Sequence, residues 1–245
     1  LQFYQNTKTP FLEIDTSFNF LELLSVKQSV DFKLGSLKTG REKLQYRSKN
    51  IKLSHIVVFN SEIKISGIID NRFHFTISVT EDARQNMNWN IAVDEKTGFN
   101  KIRFHFLSNA QEQIFGGGEQ FSYFNLKGKK IPLVVEENGI GRGDRGISFI
   151  TNFVNADGSK HSTYAPVPFF ITSRNRGIFL QSEGIAAFDF TNDEAIIAEI
   201  NDTELKLTLF QATAPLNVLE KYTAHSGRMY DLSEWVYSGS ILGLQ

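Results

Sequence analysis

The sequence predicts an all-β protein, a large two-sheet antiparallel sandwich with one short helix near the C-terminus. Apolar and polar residues alternate along much of the chain, and turn residues separate the alternating runs. Only one stretch has both a start signal and a stop signal for a helix. The 22 Phe residues, together with Ile and Val, belong to the types that strands favour. Roughly a dozen short strands at regular spacing, without interleaved helices, are typical of such a sandwich.

Residues 72–80 give the clearest strand, because Phe73, Phe75, Ile77 and Val79 share one face and polar side chains occupy the other. This pattern is typical of a half-buried antiparallel strand. Similar runs predict further strands at 18–24, 55–59, 62–68, 89–93, 101–106, 169–172, 177–181, 195–200 and 204–210.

Asp70 and Asn71 lie between two of these runs and predict a tight hairpin turn.

The predicted helix begins at Pro215 and ends before Gly227. Proline in the first turn and glycine after the last turn are the usual signals of helix termini. We expect Leu216, Leu219 and Tyr222 to form the buried stripe of this helix.

Composition and charge exclude several classes of function. The chain has 26 basic and 27 acidic residues and a formal charge of −1, so it carries no electrostatic footprint for nucleic acid or an anionic membrane. No apolar run approaches the roughly 18–20 residues of a membrane span. There is no cysteine, which removes disulfides, thiolate zinc sites and cysteine nucleophiles, and leaves a bacterial cytoplasm and a periplasm both open.

No metal site or cofactor is expected. No two of the five histidines have the spacing of metal ligands. His55, His74 and His105 fall within predicted strands, where we expect them to lie on the sheet surface or in the core. The segment 141–146 matches G-x-G-x-x-G, but dinucleotide binding also requires a parallel strand before it and a helix after it. Neither is predicted, so we reject the nucleotide interpretation.

The glycine-rich segment 116–146 is predicted to be a long loop, and long loops in compact domains are often functional. Its carboxylates include Glu136 and Glu137, which are adjacent and would point to opposite sides of an extended segment. Glycoside hydrolysis needs two carboxylates that face each other across the scissile bond. We therefore expect no catalytic pair in this loop.

Residues 115–128, FGGGEQFSYFNLKG, resemble glycoside hydrolase family 31, the α-glucosidase family. In that family an F-G-x-G-E segment lies in a β-sandwich domain that precedes the catalytic barrel. Together with residues 132–133 (PL) and 137–142 (ENGIGR), the segment is most similar to the bacterial branch that contains the sulfoquinovosidases. Residues 164–170 with 177–180, and 223–245, resemble a strand pair and the linker into the barrel of the same family.

The resemblance implies a galactose-mutarotase-like supersandwich at residues 1–213, with the glycine-rich loop at 116–146. It implies a helical linker and the start of a first barrel strand at 214–245. The catalytic aspartates of the family belong to the barrel, so we expect no catalytic residue in this chain and no activity from it alone. The intact enzyme would be a retaining α-glycosidase, with the barrel as partner domain and an α-glycoside or a sulfoquinovoside as substrate.

Glu137 occupies the position at which members of this family place a carboxylate near the sugar, so the resemblance implies that it is the candidate substrate-binding carboxylate. Arg142 would orient this carboxylate through a bidentate pair. Gln245 would close the first barrel strand, at the end where barrel sites form.

Beside these candidates, Glu119 and Gln120 are expected to fix the glycine-rich turn through hydrogen bonds to backbone N–H groups. Tyr123 and Phe124 are expected to pack.

Two alternatives stay open. A stand-alone carbohydrate-binding sandwich would need a row of exposed aromatic side chains, and the chain has only Trp89 and Trp235 as tryptophans. A mutarotase-like sugar epimerase would need a pair of histidines and a carboxylate in one groove, which the sequence alone does not assemble.

Overall fold

The computed structural model describes residues 1–4, 10, 12–16, 19–33, 35–59, 62–95, 97–136, 146–147, 158–161, 163–181 and 183–237. Within them, the two main sheets contain eight and six strands, and every strand pair in these sheets is antiparallel. The predicted all-β sandwich is therefore confirmed.

The eight-stranded sheet has the order β12-β14-β15-β18-β10-β9-β8-β7, and the six-stranded sheet has the order β13-β16-β17-β11-β3-β6. Two short pairs, β1–β2 and β4–β5, complete the strands. Their bounds are β1 (Gln2–Phe3), β2 (Leu12–Glu13), β3 (Leu21–Lys27), β4 (Val30–Lys33), β5 (Ser36–Thr39), β6 (Lys43–Arg47), β7 (Ile51–Phe59), β8 (Glu62–Ile69), β9 (Phe73–Glu81), β10 (Met87–Val93), β11 (Lys101–Leu107), β12 (Ile114–Gly118), β13 (Lys130–Leu133), β14 (Pro166–Thr172), β15 (Arg176–Gln181), β16 (Ala186–Asp189), β17 (Ala195–Ile200) and β18 (Glu204–Gln211).

Alternation places one apolar face of each main sheet against the other. The side chains of Phe73, Phe75, Ile77 and Val79 are all buried, as the pattern of β9 predicts. Both sheets contribute to one continuous core cluster, and its aromatic rings meet mainly edge to face, as Phe20 does with Phe75 and Phe104. The core of the molecule is thus the space between the sheets.

The hairpin between β8 and β9 turns at the predicted residues. Asp70 and Asn71 have φ values of 50° and 54°, which is the left-handed geometry of a type I′ turn. The Tyr46 hydroxyl donates to Oδ2 of Asp70 at 2.6 Å, so the turn is also tied to β6 in the other sheet.

The helix α1 spans Pro215–Ser226 and is followed by Gly227, which confirms its predicted ends. Its predicted buried stripe is right for Tyr222, which packs against the sheet, and wrong for Leu216 and Leu219, which are 77% and 42% exposed while Val218 is fully buried. A second, short helix, α2, spans Glu234–Tyr237. Among the described residues, neither helix has the length and apolar content that crossing a membrane requires.

The reason for the different stripe lies in the sheet beneath α1. Tyr222 stacks on Phe169 with ring centroids 3.8 Å apart and meets Phe210 edge to face. Val218 packs in the same cluster. Aromatic side chains of β14 and β18 therefore determine which face of the helix is buried.

The segment predicted as one long loop includes the glycine-rich end of β12 and the whole of β13. Three glycines in succession concealed β12, because glycine is depleted in strands. The strand predicted at 18–24 lies instead at Leu21–Lys27, where buried residues continue to Val26.

A buried ion pair joins β15 to the segment before β12. Arg176 donates from Nε and Nη2 to the two carboxylate oxygens of Glu112 at 2.9 and 2.7 Å, and from Nη2 to the carbonyl of Leu107 at 2.9 Å. Ser108 Oγ donates to the same carboxylate at 2.8 Å. Burial opposes ionisation of Glu112, but the charge and hydrogen bonds of Arg176 outweigh it and lower the pKa of Glu112. The carboxylate is thus held ionised inside the molecule.

Replacing Arg176 by Met should lower the free energy of unfolding by about 3–5 kcal/mol, because Glu112 would keep a buried charge without its partner. Urea denaturation measures this change. The matched control is Arg72→Met, which removes an exposed pair with Glu95 and should cost much less, because water screens an exposed ion pair. Equal costs for the two variants would contradict the assignment of Arg176 as a structural anchor.

Candidate functional site

The three residues predicted to bind substrate, Glu137, Arg142 and Gln245, lie outside the described residues. The structure describes the first part of the glycine-rich loop, from β12 to residue 136, and the first residues of β14, against which β12 pairs. The candidate site is built on this frame.

At Gly118, β12 approaches β14 more closely than any side chain permits. Gly118 has a φ of 91°, and a Cβ atom placed there would lie 2.1 Å from the carbonyl oxygen of Ala165 and 2.6 Å from the amide nitrogen of Val167. The register between the strands shifts between Gly116 and Gly118, as in a β-bulge. The bulge marks the point at which the chain leaves the sheet and the loop begins.

Hydrogen bonds fix the first turn of the loop. The backbone N–H of Glu119 donates to the carbonyl of Ala165 at 3.1 Å, and Gln120 Nε2 donates to the carbonyl of Gly117 at 3.3 Å. The expectation that both side chains would accept from backbone N–H groups is wrong. Gln120 does stabilise the turn, but with its amide donor, and Glu119 contributes through its main chain.

Asn125 holds the other end of this first loop segment. Its Oδ1 accepts from the N–H groups of Ile114 and Lys127, at 3.0 and 3.1 Å. The N–H of Leu126 donates to the carbonyl of Ile114 at 2.8 Å, and Leu126 is buried in the core. Residues 119–125 therefore protrude from a closed base.

The protruding segment presents aromatic side chains to the surface. Phe124 is 84% exposed and contacts Phe115, and the expectation that it would pack is wrong because Leu126 takes the buried position instead. Phe121 and Tyr164 are also exposed, with ring centroids 5.7 Å apart. We call Phe115, Phe121, Phe124 and Tyr164 the aromatic rim.

Tyr123, in contrast, packs against the core as expected. The ammonium of Lys129 lies 4.6 Å from the centroid of its ring, and His161 lies beside the ring. Burial lowers the pKa of His161, and the charges of Lys129 and Lys160 lower it further. The imidazole is accordingly neutral near pH 7, and the lysines supply the positive charge beside the rim.

The outer face of the six-stranded sheet carries a charge network that the sequence analysis missed. The carboxylate oxygens of Glu199 lie 2.5 Å from Lys130 Nζ, 2.8 Å from Arg103 Nε and 3.5 Å from Lys101 Nζ. Lys101 also pairs with Glu42. Burial alone would raise the pKa of Glu199, but these cations lower it. The alternation in β11 and β17 places Lys101, Arg103 and Glu199 on outward positions, and this signal could have revealed the network.

The network borders a cavity of about 340 Å³. Because its buried charges are paired with one another, the network acts first as a structural element.

The described residues do not assemble the histidine pair that a mutarotase-like site requires, whereas exposed aromatic side chains, which a carbohydrate-binding sandwich requires, are present, among them Trp235. His105 lies 3.5 Å from Glu22 on the six-stranded sheet, but His55 and His74 are in β7 and β9 of the other sheet, so no histidine pair forms there. Trp89 is 1% exposed and packs in the core. No group of three metal-ligating side chains occurs within the described residues.

The fold and the anchored glycine-rich strand define a galactose mutarotase-like sandwich domain. Residues 18–189 match the family described as glycosyl hydrolase 31 N-terminal galactose mutarotase-like domain. The match covers well over half of the 245 residues, and the chain therefore belongs to this family.

The chain is similar to the sulfoquinovosidases of Agrobacterium fabrum and Escherichia coli, with 31% identity over 156 residues in each case. These alignments cover 63% and 62% of this chain and 23% of each relative. An isomaltosyltransferase of Sporosarcina globispora is 26% identical over 251 residues, covering 95% of this chain and 21% of the relative. The chain thus spans about a quarter of the length of these relatives.

Solved structures share the fold. A GH31 family sulfoquinovosidase from E. rectale, in complex with an aza-sugar inhibitor, superposes with a TM-score of 0.83 at 24% identity, covering 99% of this chain and 35% of that chain. A cycloalternan-forming enzyme from Listeria monocytogenes gives a TM-score of 0.62 at 11% identity, covering 89% of this chain and 30% of that chain.

Gly118→Ala should destabilise the chain more than Gly128→Ala. Both glycines have positive φ, which costs about 1–2 kcal/mol for an alanine. A methyl group at position 118 would also meet backbone atoms of β14, whereas nothing lies within 4 Å of one at position 128. We expect a further loss of about 1–3 kcal/mol for Gly118→Ala, measured by thermal or urea unfolding. Equal stability of the two variants would show that the close approach is not required.

Proposed function

We propose that this chain is the non-catalytic N-terminal domain of a retaining α-glycosidase, of α-glucosidase or sulfoquinovosidase type. In this proposal the segment after β12 forms part of the wall of a substrate pocket whose catalytic aspartates belong to a C-terminal barrel. The domain boundaries would be those predicted: a sandwich at 1–213 and a linker with the first barrel strand at 214–245.

The observation that carries the proposal is the combination of a rigid base and an exposed tip in the segment after β12. Glycine contacts and the Gln120 and Asn125 hydrogen bonds fix its base. Its tip presents Phe121 and Phe124 to the surface. Fixing a loop on a sheet while leaving apolar rings uncovered favours contact with another folded unit.

A second exposed surface lies where the predicted linker runs. Tyr230, Trp235 and Tyr237 are 89%, 74% and 70% exposed. Exposed apolar patches mark contact surfaces, so in this proposal a barrel that follows residue 245 would cover these side chains. The two similar sulfoquinovosidases support a sulfonated sugar as one candidate substrate of the intact enzyme.

In the intact enzyme, Glu137 would accept hydrogen bonds from sugar hydroxyls, and Arg142 would hold its carboxylate in place. Gln245 would lie at the C-terminal end of the first barrel strand, where barrel sites form. All three roles concern binding and orientation, and the chemistry would belong to the barrel.

The test uses the intact enzyme that the proposal requires, in which a barrel follows Gln245. Glu137→Gln should lower kcat/KM for an aryl α-glycoside or aryl sulfoquinovoside by about 10- to 100-fold, since a hydrogen bond to a charged group is lost. The neighbouring Glu136→Gln serves as the control and should leave kcat/KM within about twofold.

The 245-residue chain without its continuation should show no turnover of either substrate. Turnover by the purified chain, or equal activity of Glu137→Gln and the unmodified enzyme, would refute the proposal.

A further inference from the structure

Strand β7 forms one edge of the eight-stranded sheet and pairs with β8. Within the described residues, no strand pairs with its other side. Five large apolar side chains of this strand are exposed: Leu53, Ile56, Val57, Val58 and Phe59. The last two are 69% and 70% exposed. A long apolar edge strand is a site of strand pairing unless charges, prolines or a covering element protect it.

The protection that edge strands usually carry is confined to one end of β7. Lys52 is the one charged residue between positions 51 and 59, and the strand contains no proline. The register with β8 shifts between Leu53 and His55, as in a β-bulge. Residues 55–59, HIVVF, lie beyond both features. They pair regularly with β8 and include no lysine, arginine or acidic residue.

The main-chain groups at this edge follow the alternation of an antiparallel ladder. The N–H of Asp70 donates to the carbonyl of Asn50 at 2.8 Å, so Asp70 directs its main chain to the β7 side. By alternation along β8, Lys64 does the same, and it opposes Val57. Val57 therefore directs its main chain to β8. Its two neighbours, at 56 and 58, direct their N–H and C=O groups to the free edge.

The linker that would lead to a barrel lies on the other half of the sheet. The helix α1 contacts β14, β15 and β18. Strands β10, β9 and β8 separate β18 from β7, which is a distance of about 19 Å at the usual strand spacing. This separation favours a partner other than the barrel for the free edge of β7.

We propose that β7 pairs with β7 of a second copy of the chain in antiparallel orientation and joins the two eight-stranded sheets. Identical strands related by a two-fold axis complement each other, because residue i contacts residue j and j contacts i. A centre at Val57 places His55 opposite Phe59 of the second copy. It places Ile56 opposite Val58, and these two residues exchange the hydrogen bonds that their main chains direct to the edge.

Charge and area fit a weak dimer. Like charges that face each other across strands are destabilising, and residues 55–59 include no lysine, arginine or acidic residue. Covering the exposed side chains in both copies would bury on the order of 1,000 Å², which is the lower limit of a specific interface. We expect a Kd on the order of 10 μM. The inference is independent of the proposed function, since it involves neither the segment after β12 nor the barrel.

Sedimentation velocity of the 245-residue chain, from tenfold below to tenfold above the expected Kd, should show a reversible monomer–dimer equilibrium. Val57→Lys places two ammonium groups opposite each other at the centre of the pair and should raise the Kd by about tenfold or more. The matched control is Val30→Lys, which changes an exposed valine on β4 and should leave the Kd unchanged.

Cysteine cross-linking tests the register. The chain has no cysteine, so each variant carries a single thiol. Residues opposed at a non-hydrogen-bonded position have Cα atoms about 4.5 Å apart, which is within the range of a disulfide. Val57→Cys should therefore give a covalent dimer under mild oxidation. Lys52→Cys, on the same strand but outside the paired segment, should not.

Thermal unfolding shows whether each variant is folded, and if Val57→Lys is not, the cross-linking decides. Three results would overturn the proposal. The first is a chain that stays monomeric at every concentration. The second is a dimer that Val57→Cys does not cross-link. The third is an intact enzyme that is monomeric while the 245-residue chain dimerises, because the barrel would then cover β7.

Discussion

The main-chain contact between β12 and β14 is the constraint on which the candidate site depends. A side chain at Gly118 would overlap the carbonyl of Ala165, so the strands can meet here only through glycine. The buried pair between Glu112 and Arg176 fixes the chain just before β12. With both ends of this short strand held, the position at which the following segment leaves the sheet is determined.

The outer faces of the two sheets differ in a way that separates their roles. On the eight-stranded sheet, Phe169 and Phe210 bury Val218 and Tyr222 of the helix α1, so that part of this face is closed by apolar contact. The six-stranded sheet keeps charged and polar side chains on its outer face, around Glu199 and around Glu22 and His105. The buried charge of Glu199 is stabilised there by its cationic partners Lys101, Arg103 and Lys130.

Predictions that depend only on neighbouring residues were correct, and one that depends on tertiary packing was wrong. The hairpin at Asp70 and Asn71 and the ends of α1 were predicted correctly, because turn and cap signals depend on neighbouring residues. Phe124 was expected to pack and is exposed, since the closed base of its segment buries Leu126 instead. The substrate roles of Glu137, Arg142 and Gln245 stay predictions.

The sequence by itself determined the all-β class, most strand positions and the faces that each strand presents, because an alternating period of two is a local property. Only the tertiary structure decided which faces are covered, and by which elements. It brought Glu22 of β3 beside His105 of β11, and it placed the aromatic rings of β14 under one side of a helix. Periodicity predicts which side chains share a face. The side chains that pack against them come from strands distant in the chain, and no local pattern predicts the order of those strands in the sheet.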